Sequence, residues 1–422
     1  MTNDRPKPGY KQTEVGVIPE DWDVASLANL TQAKRPISYG IVQTGRQVPG
    51  GVFCIRVVDI VNGRINNDDL ITTSQEISNS YKRTILNIGD LIIALRGKIG
   101  ELAVVPKELK GTNLTRGVAL IALQENYSSH FYHQYLSSAG SKIRLQNSLN
   151  GSALQELPIA TLRSFPVAVP PLPEQRSIAQ ALSDVDALIA ALEKAIAKKR
   201  AIKTATMQQL LKGKKRLPGF GGEWQKIKMS TNASLKARIG WQALTTEEYL
   251  DSGSFFLVTG TDFVKGRVDW NTCHFVDEWR YSQDKNIQLR NGDVLLTKDG
   301  TIGKVGYVDH ITQPATLNSG VFVIRPVNGC FDPLFLYYIL SSQIFDEFLN
   351  KIFAGSTISH LYQKDFVTFE FLAPTIQEQR AIATVLSDMD TEIAALETRI
   401  AKTQALRQGM MQALLTGRVR LV

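Results

Sequence analysis

"EQRSIAQALSDVDALIAALE" begins at Glu174, and "EQRAIATVLSDMDTEIAALE" begins at Glu378, 204 positions later. Extended to Gly213 and Gly417, the two stretches agree at 23 of 40 positions without a gap. Chance does not produce that agreement, so the chain is read as an internal duplication. In the first copy Ile178, Leu182, Val185, Ile189, Leu192 and Ile196 recur at spacings of 4, 3, 4, 3 and 4. Ile382, Leu386, Met389, Ile393, Leu396 and Ile400 repeat the pattern. This is a heptad seam, and each helix needs an apolar partner along its length. The simplest partner is the other copy, laid antiparallel; packing of each helix on its own neighbouring domain is the alternative. At ~1.5 Å per residue such a helix would span roughly 60 Å. Thr375-Ile-Gln-Glu378 has the pattern of a capping box, and Pro173 suits a first helical position. Gly213 and Gly417 suit the left-handed residue that ends a helix.

Weaker matches extend outward. "IGDLII" at Ile88 aligns with "NGDVLL" at Asn291, and "RGVALI" at Arg116 with "SGVFVI" at Ser319. Short β-branched and aromatic runs, such as "GVFCIRVVDIV" at Gly51 and "SFFLVTGTDFV" at Ser254, are punctuated by Gly, Asn and Asp. Such runs predict sheet-rich domains. Gly89-Asp90 and Gly292-Asp293 read as turns feeding buried strands. The expected fold is α+β, with two sheet-rich domains separated by two long α-helices that form an antiparallel coiled coil. The expected division is 1–169 and 217–372 for the two domains, with 170–216 and 373–422 as helical spacers. Outside the shared landmarks the two domains differ in sequence. The scaffold is duplicated; the surfaces it carries are not.

Composition bounds the function. The 422 residues are 43% hydrophobic and 21% charged, ordinary for a globular protein, with a net charge of +8 that leans toward a polyanionic partner. The N-terminal "MTNDRPKPGYKQ" lacks the apolar stretch of a secretory signal, and "GVALIAL" is far too short to span a bilayer. The three cysteines, Cys54, Cys273 and Cys330, form no paired motif. A cytoplasmic location is expected, without membrane association.

No catalytic constellation is found. "KDGTIGK" at Lys298 is too short between Gly300 and Lys304 for a phosphate-binding loop and reads as a Gly-rich hairpin. His130 and His133 stand at i, i+3 but lack further ligands, so no metal site is expected. No nucleophile elbow or His-Glu-x-x-His motif occurs. Catalysis is expected on another chain.

The segment from Lys194 to Arg216 carries Lys194, Lys198, Lys199, Arg200, Lys203, Lys212, Lys214, Lys215 and Arg216. It reads as a solvated helix face, as a phosphate-attracting surface or as a partner contact. Reading bases requires side chains with paired hydrogen-bonding edges. The first domain offers Arg35, Tyr39, Gln43, Arg46 and Gln47 on one loop-like stretch; the second offers Lys236, Arg238, Trp241 and Gln242 at a comparable place. Arg96, Lys98, Arg116, Lys298 and Ser356 lie near glycine turns and complete the candidate DNA-binding set, beside Asn113, Asn318 and His360.

The stretches "PPLPEQRSIAQALSDVDALIAALE" and "APTIQEQRAIATVLSDMDTEIAALE" resemble the helical regions of DNA specificity subunits of Type I restriction–modification enzymes. "GYKQTEVGVIPEDW" and "GDVLLTKDGTIGKVG" are similar to that family as well. The resemblance spans essentially the whole chain, with its specific part in the helices. It implies a non-catalytic subunit that binds double-stranded DNA through two target-recognition domains, each reading one half of an asymmetric bipartite site. It also implies two methyltransferase subunits carrying S-adenosylmethionine, and restriction/translocase subunits using ATP and Mg; no cofactor is implied on this chain. Glu174, Gln175 and Arg176, with Glu378, Gln379 and Arg380, match the family's motif and are expected to be architectural, with subunit docking as the lesser role. A protein-interaction scaffold that does not bind nucleic acid is the alternative function.

Overall fold

The computed structural model describes residues 6–149, 156–239, 244–353 and 360–421. It comprises two compact units, Met1–Glu193 with Arg399–Val422, and Lys194–Thr398. The division passes through both long helices, Leu172–Leu210 and Ile376–Leu414. The first unit is therefore built from two stretches of chain and the second from one. Each combines a sheet-bearing domain, the first part of the helix that follows it, and the last part of the other helix.

In the first unit an antiparallel sheet runs in the order Leu102–Val104, Leu91–Ala94, Val118–Ile121 and Ser38–Tyr39. A smaller sheet joins Asn113–Leu114, Val52–Ile55 and Ile71–Thr73. Strands Leu91–Ala94 and Val118–Ile121 are buried at every position, which explains why they read as continuous apolar runs without alternation. Alternate side chains nevertheless serve different cores, as the pleat requires. Leu91, Ile93, Ala119 and Ile121 pack in the core that contains Ile178, Leu182, Leu414 and Leu415 from the long helices. Ile92, Ala94 and Leu120 face a second core with Ile55 and Leu114.

The second unit repeats this plan. Its larger sheet is ordered Ala233–Lys236, Val321–Pro326, Val294–Thr297, Val305–Tyr307, Arg267–Val268 and Phe263–Val264. Val294, Leu296, Phe322 and Ile324 share a core with Leu210, Leu211, Ile382 and Leu386, while Leu295, Val321 and Val323 face the other side. The Gly-Asp landmarks are turns, with Gly89 at φ 82° and Gly292 at φ 94°. "KDGTIGK" is the hairpin joining Val294–Thr297 to Val305–Tyr307. Its glycines, at φ 67° and 83°, match Gly97 and Gly100 of "LRGKIGE" in the first unit, at 66° and 83°.

Within each unit the helical segments run antiparallel, tied by buried carboxylates. In the first, Arg420 donates to Glu174 through Nε at 2.6 Å and Nη2 at 2.8 Å, and the Trp22 indole donates to the same carboxylate at 2.9 Å. Asp21 takes two further bonds from Arg420, at 2.9 and 2.7 Å. Along the helix, Asp186 is held by Arg407 and by Gln134 at 3.1 Å. In the second unit Arg216 Nε donates to Glu378 at 2.6 Å, while Asp390 is held by Lys203 and by the Tyr338 hydroxyl at 2.8 Å. Advancing from 174 to 186 on one helix thus means retreating from 420 to 407 on its partner. Antiparallel pairing and packing on the helix's own domain, the two alternatives of the sequence, occur together.

The helix ends differ from expectation in two respects. The first long helix begins at Leu172, which makes Pro173 its second residue. The carboxylate of Glu378 is engaged by Arg216 and does not close a capping box on Thr375. The adjacent glutamine does the tying: Gln379 donates to the Pro374 carbonyl at 2.9 Å and accepts from the Asp332 amide at 2.9 Å. Gln175 does the same with Pro170 at 2.8 Å and Ser128 at 2.9 Å. Gly213 and Gly417 end the helices at φ 66° and 68°. A Cβ on Gly417 would come within 2.4 Å of the Pro19 ring, so that turn has no room for a side chain.

Glu174→Ala would leave the Trp22 indole and part of Arg420 without an acceptor in a buried setting, a loss of about 2–3 kcal/mol once the partial exposure of Arg420 is allowed for. The urea midpoint of the full chain should fall accordingly. Asp184→Ala, on an exposed position of the same helix, should leave it unchanged within experimental scatter.

Candidate nucleic-acid interface

In the first unit three loops are joined by backbone hydrogen bonds at one end of the larger sheet. Arg116 N donates to Ile41 O at 2.8 Å, and Leu95 N donates to Gly117 O at 2.8 Å. The Thr73 hydroxyl donates to Thr44 O at 2.7 Å, anchoring the segment that follows Gly40. On this frame Tyr39, Gln43, Arg46, Gln47, Lys98 and Arg116 are all exposed. Arg96 lies among them but is paired with Glu156 at 2.9 Å.

Arg35 is not part of that face, which corrects the expectation for it. Its guanidinium bonds both oxygens of buried Asp90, at 2.9 and 2.5 Å, and the Ile85 carbonyl at 2.7 Å. The second unit meets the same need from a strand: Arg325, in Val321–Pro326, bonds Asp293 at 2.7 and 2.6 Å. A buried carboxylate at the Gly-Asp turn requires a cation, supplied here by a bend before Ser38–Tyr39 in one unit and by a strand in the other.

In the second unit Arg238 is also corrected. It is buried, donates Nε to Leu317 O at 2.9 Å, and reaches Thr316 Oγ1 at 3.2 Å and Gln283 at 3.3 Å. Burial, with Arg280 nearby, pushes its pKa below the usual guanidinium value. Lys298 is largely covered: it pairs with Asp299 at 2.9 Å and lies over the Phe322 ring. Lys236 is exposed. Trp241, Gln242 and Ser356 lie outside the described residues. Asn113 is buried in a network with Thr84 and Ser78, and Asn318 donates to the Tyr249 hydroxyl at 2.6 Å, so both serve packing. The pair corresponding to Arg96–Glu156 is Asp299–His360, with the acidic residue now first along the chain on the equivalent backbone bridge.

The basic helical run finds its acids in space. Lys199 pairs with Glu392, Arg200 with Glu397, Lys203 with Asp390, Lys212 with Glu347 and Arg216 with Glu378. Lys194, Lys198, Lys214 and Lys215 make no ion pair among the described residues. Half of the apparent phosphate-binding surface is thus seam chemistry. Glu174, Gln175, Glu378 and Gln379 are buried and architectural, whereas Arg176 and Arg380 point to solvent, Arg380 at 3.6 Å from Asp332.

Sequence reasoning overlooked a polar groove of about 240 Å³ in the first unit, where Tyr39 is joined by Tyr81, Arg83 and Arg163. The three come from two segments some eighty residues apart, and no periodicity or motif marks them. Nucleophilic chemistry gains no support: burial pushes the Cys54 thiol up to about 11 and the Cys273 thiol up to about 12. Burial also lowers the pKa of His133, favouring its neutral form, and among the described residues no three His, Cys, Asp or Glu side chains converge as metal ligands.

The family model for the Type I restriction modification DNA specificity domain matches residues 19–203 and 242–404. The chain belongs to that family. It is similar to the Type I restriction enzyme MjaVIII specificity subunit of Methanocaldococcus jannaschii, with 22% identity over 96% of this chain and 94% of the relative. The EcoBI specificity subunit of Escherichia coli is 31% identical over 43% of this chain and 38% of its own length. Among solved structures, the Type I restriction-modification S subunit from M. genitalium superposes with a TM-score of 0.57 at 16% identity, covering 93% of this chain and 96% of that one. The fold is therefore that of an S subunit.

Arg35→Ala should separate structure from reading. With Asp90 left as an unpaired buried carboxylate, stability should fall by about 3 kcal/mol, while the ratio of affinities for specific and random duplex stays unchanged. Arg46→Ala, fully in solvent, should weaken duplex binding without moving the melting temperature. Calorimetry and fluorescence anisotropy measured on both variants check this.

Proposed function

We propose that this chain is the sequence-reading subunit of a Type I restriction–modification complex, each sheet-bearing domain reading one half of a split, asymmetric DNA site. The observation that carries the reading is the contrast between a repeated scaffold and unlike surfaces. The Gly-Asp turns, the glycine hairpins, the Glu–Arg ties and the Gln ties recur in both units. The exposed set around Tyr39, Arg46 and Arg116 does not recur, and Arg96–Glu156 is replaced by Asp299–His360. A protein that binds the same thing twice would repeat its surfaces.

The chain itself would be non-catalytic. Two methyltransferase subunits would dock on it and supply S-adenosylmethionine, and restriction/translocase subunits would supply ATP- and Mg-dependent steps, in the cytoplasm. Among the described residues no helix is long and apolar enough to cross a membrane. Exposed Arg176 and Arg380, identical in the two copies, are the members of the Glu-Gln-Arg motif open to a partner. The helices would set the separation of the half-sites.

Co-expression with its modification partner should place methyl groups on an asymmetric, interrupted sequence, read by methylome sequencing. Exchange of residues 1–169 for another recognition domain should change one half-site only; a continuous palindrome, or no new mark beside an active partner, would overturn the reading. Deleting one heptad at matched positions of both helices should alter the gap and leave the recognised bases alone. Matched deletion is required because Lys199, Arg200 and Lys203 are each paired with the second helix.

A further inference from the structure

We infer that the groove lined by Tyr39, Tyr81, Arg83 and Arg163 anchors a backbone phosphate of DNA beside the half-site read by the first unit. This rests on the DNA-reading function proposed above. The recess has a volume of about 240 Å³. Its remaining liners are Ser38, Val42, Ser80, Thr84 and Ile159, so two guanidinium groups face it and no carboxylate does. Arg163 is held in place by its bonds to the Ile37 carbonyl, Nε at 3.1 Å and Nη2 at 2.7 Å, while Nη1 has no acceptor among the described residues. Arg83 is exposed and has no ion-pair partner among them. Tyr39, 47% exposed, adds an aromatic side chain to the lining. A concave, polar recess with unneutralised charge favours an anion, and a recess suits a phosphate better than the edge of a stacked base.

Comparison of the two units shows that packing does not demand these residues. The turn Lys82–Thr84 corresponds to Lys285–Ile287, since each follows a short helix capped by Ser74 or Asp277. Tyr81 is thereby replaced by Asp284, and Arg83 by Asn286. Leu157 and Leu361 donate equivalent amide bonds, at 2.7 Å to Leu95 O and 2.8 Å to Lys298 O, which puts Val367 where the first unit has Arg163. Strand register opposes Tyr39 to Ala119 and Lys236 to Val323, so Ala237 takes the place of Tyr39 and buried Arg238 that of Gly40. All four liners change together, from two cations and two aromatics to none. The framework around them stays. A contact serving the common scaffold is kept even where its residue moves, as from Arg35 to Arg325; these four liners change in type at every corresponding position.

The test uses the full chain with its modification partner, and anisotropy on a specific and a random duplex across a salt series. Arg83→Ala should weaken both duplexes by about three- to tenfold and make the salt slope shallower by about 1, leaving their ratio unchanged. Arg83→Lys should recover part of the loss, and Asn286→Ala in the second unit should leave the slope as it was. Because Arg83 is exposed, the melting temperature should not move. Unchanged affinity and slope would overturn the inference, and a collapse of the specific-to-random ratio would make the groove a base reader instead. Loss of inorganic phosphate or deoxyadenosine monophosphate binding in Arg83→Ala, with duplex binding intact, would assign it to a free anion. If the wild-type complex binds neither duplex, the DNA-reading function fails and takes this inference with it.

Discussion

The buried Glu174 carboxylate is shared by a guanidinium from beyond the far end of the other long helix and an indole from the domain itself. Glu378 repeats the guanidinium half of the arrangement: Arg216 bonds it through Nε and Nη2, Nη2 also donates to the Gly221 carbonyl at 2.9 Å, and Nη1 donates to that of Gly222 at 2.8 Å. A carboxylate removed from water is tolerated only with a cation in good geometry. That requirement fixes which end of one helix meets which end of the other, and it joins the chain's last residues to the first unit. A heptad seam alone would permit either direction and several registers.

Specificity of register is reinforced twelve residues further along each helix, at Asp186 and Asp390. The second aspartate of "SDVD" and "SDMD" accepts from the opposing helix and from a domain helix at once, through Arg407 and Gln134 or through Lys203 and Tyr338. The first aspartate of each pair, Asp184 or Asp388, stays in solvent. Three elements converge on one carboxylate, so domain helix, own helix and partner helix are held in a single arrangement. The exposed members of the basic run contribute little to stability, as surface ion pairs usually do. Their value lies in direction and register.

Duplication also exposes what each unit was free to change. The Gly-Asp turn keeps its buried acid, yet the cation moves from Arg35 in one unit to Arg325 in the other. Scaffold chemistry is conserved as a contact, with no fixed position for the residue that makes it. Surface chemistry, in contrast, is lost outright: the cationic groove of the first unit has Asp284, Asn286 and Val367 at its corresponding places. Those two kinds of change separate a framework from the surface it presents.

Repetition and period are properties of order along the chain, so the sequence by itself determined the two helices, their glycine stops, the sheet-rich domains and the Gly-Asp turns. It also limited the exposed candidates, since Tyr39, Gln43, Arg46, Lys98 and Arg116 stand in turn-rich segments and are at the surface. Which arginines were free was not legible. Arg35 and Arg238 look like Arg46 in sequence, but Asp90 and Thr316 reach them from distant segments. The acids that neutralise the basic run lie 135 to 197 residues away, and Arg83 and Arg163 line one groove from segments eighty residues apart. Partner choice depends on distance in space, and only the tertiary structure decides that.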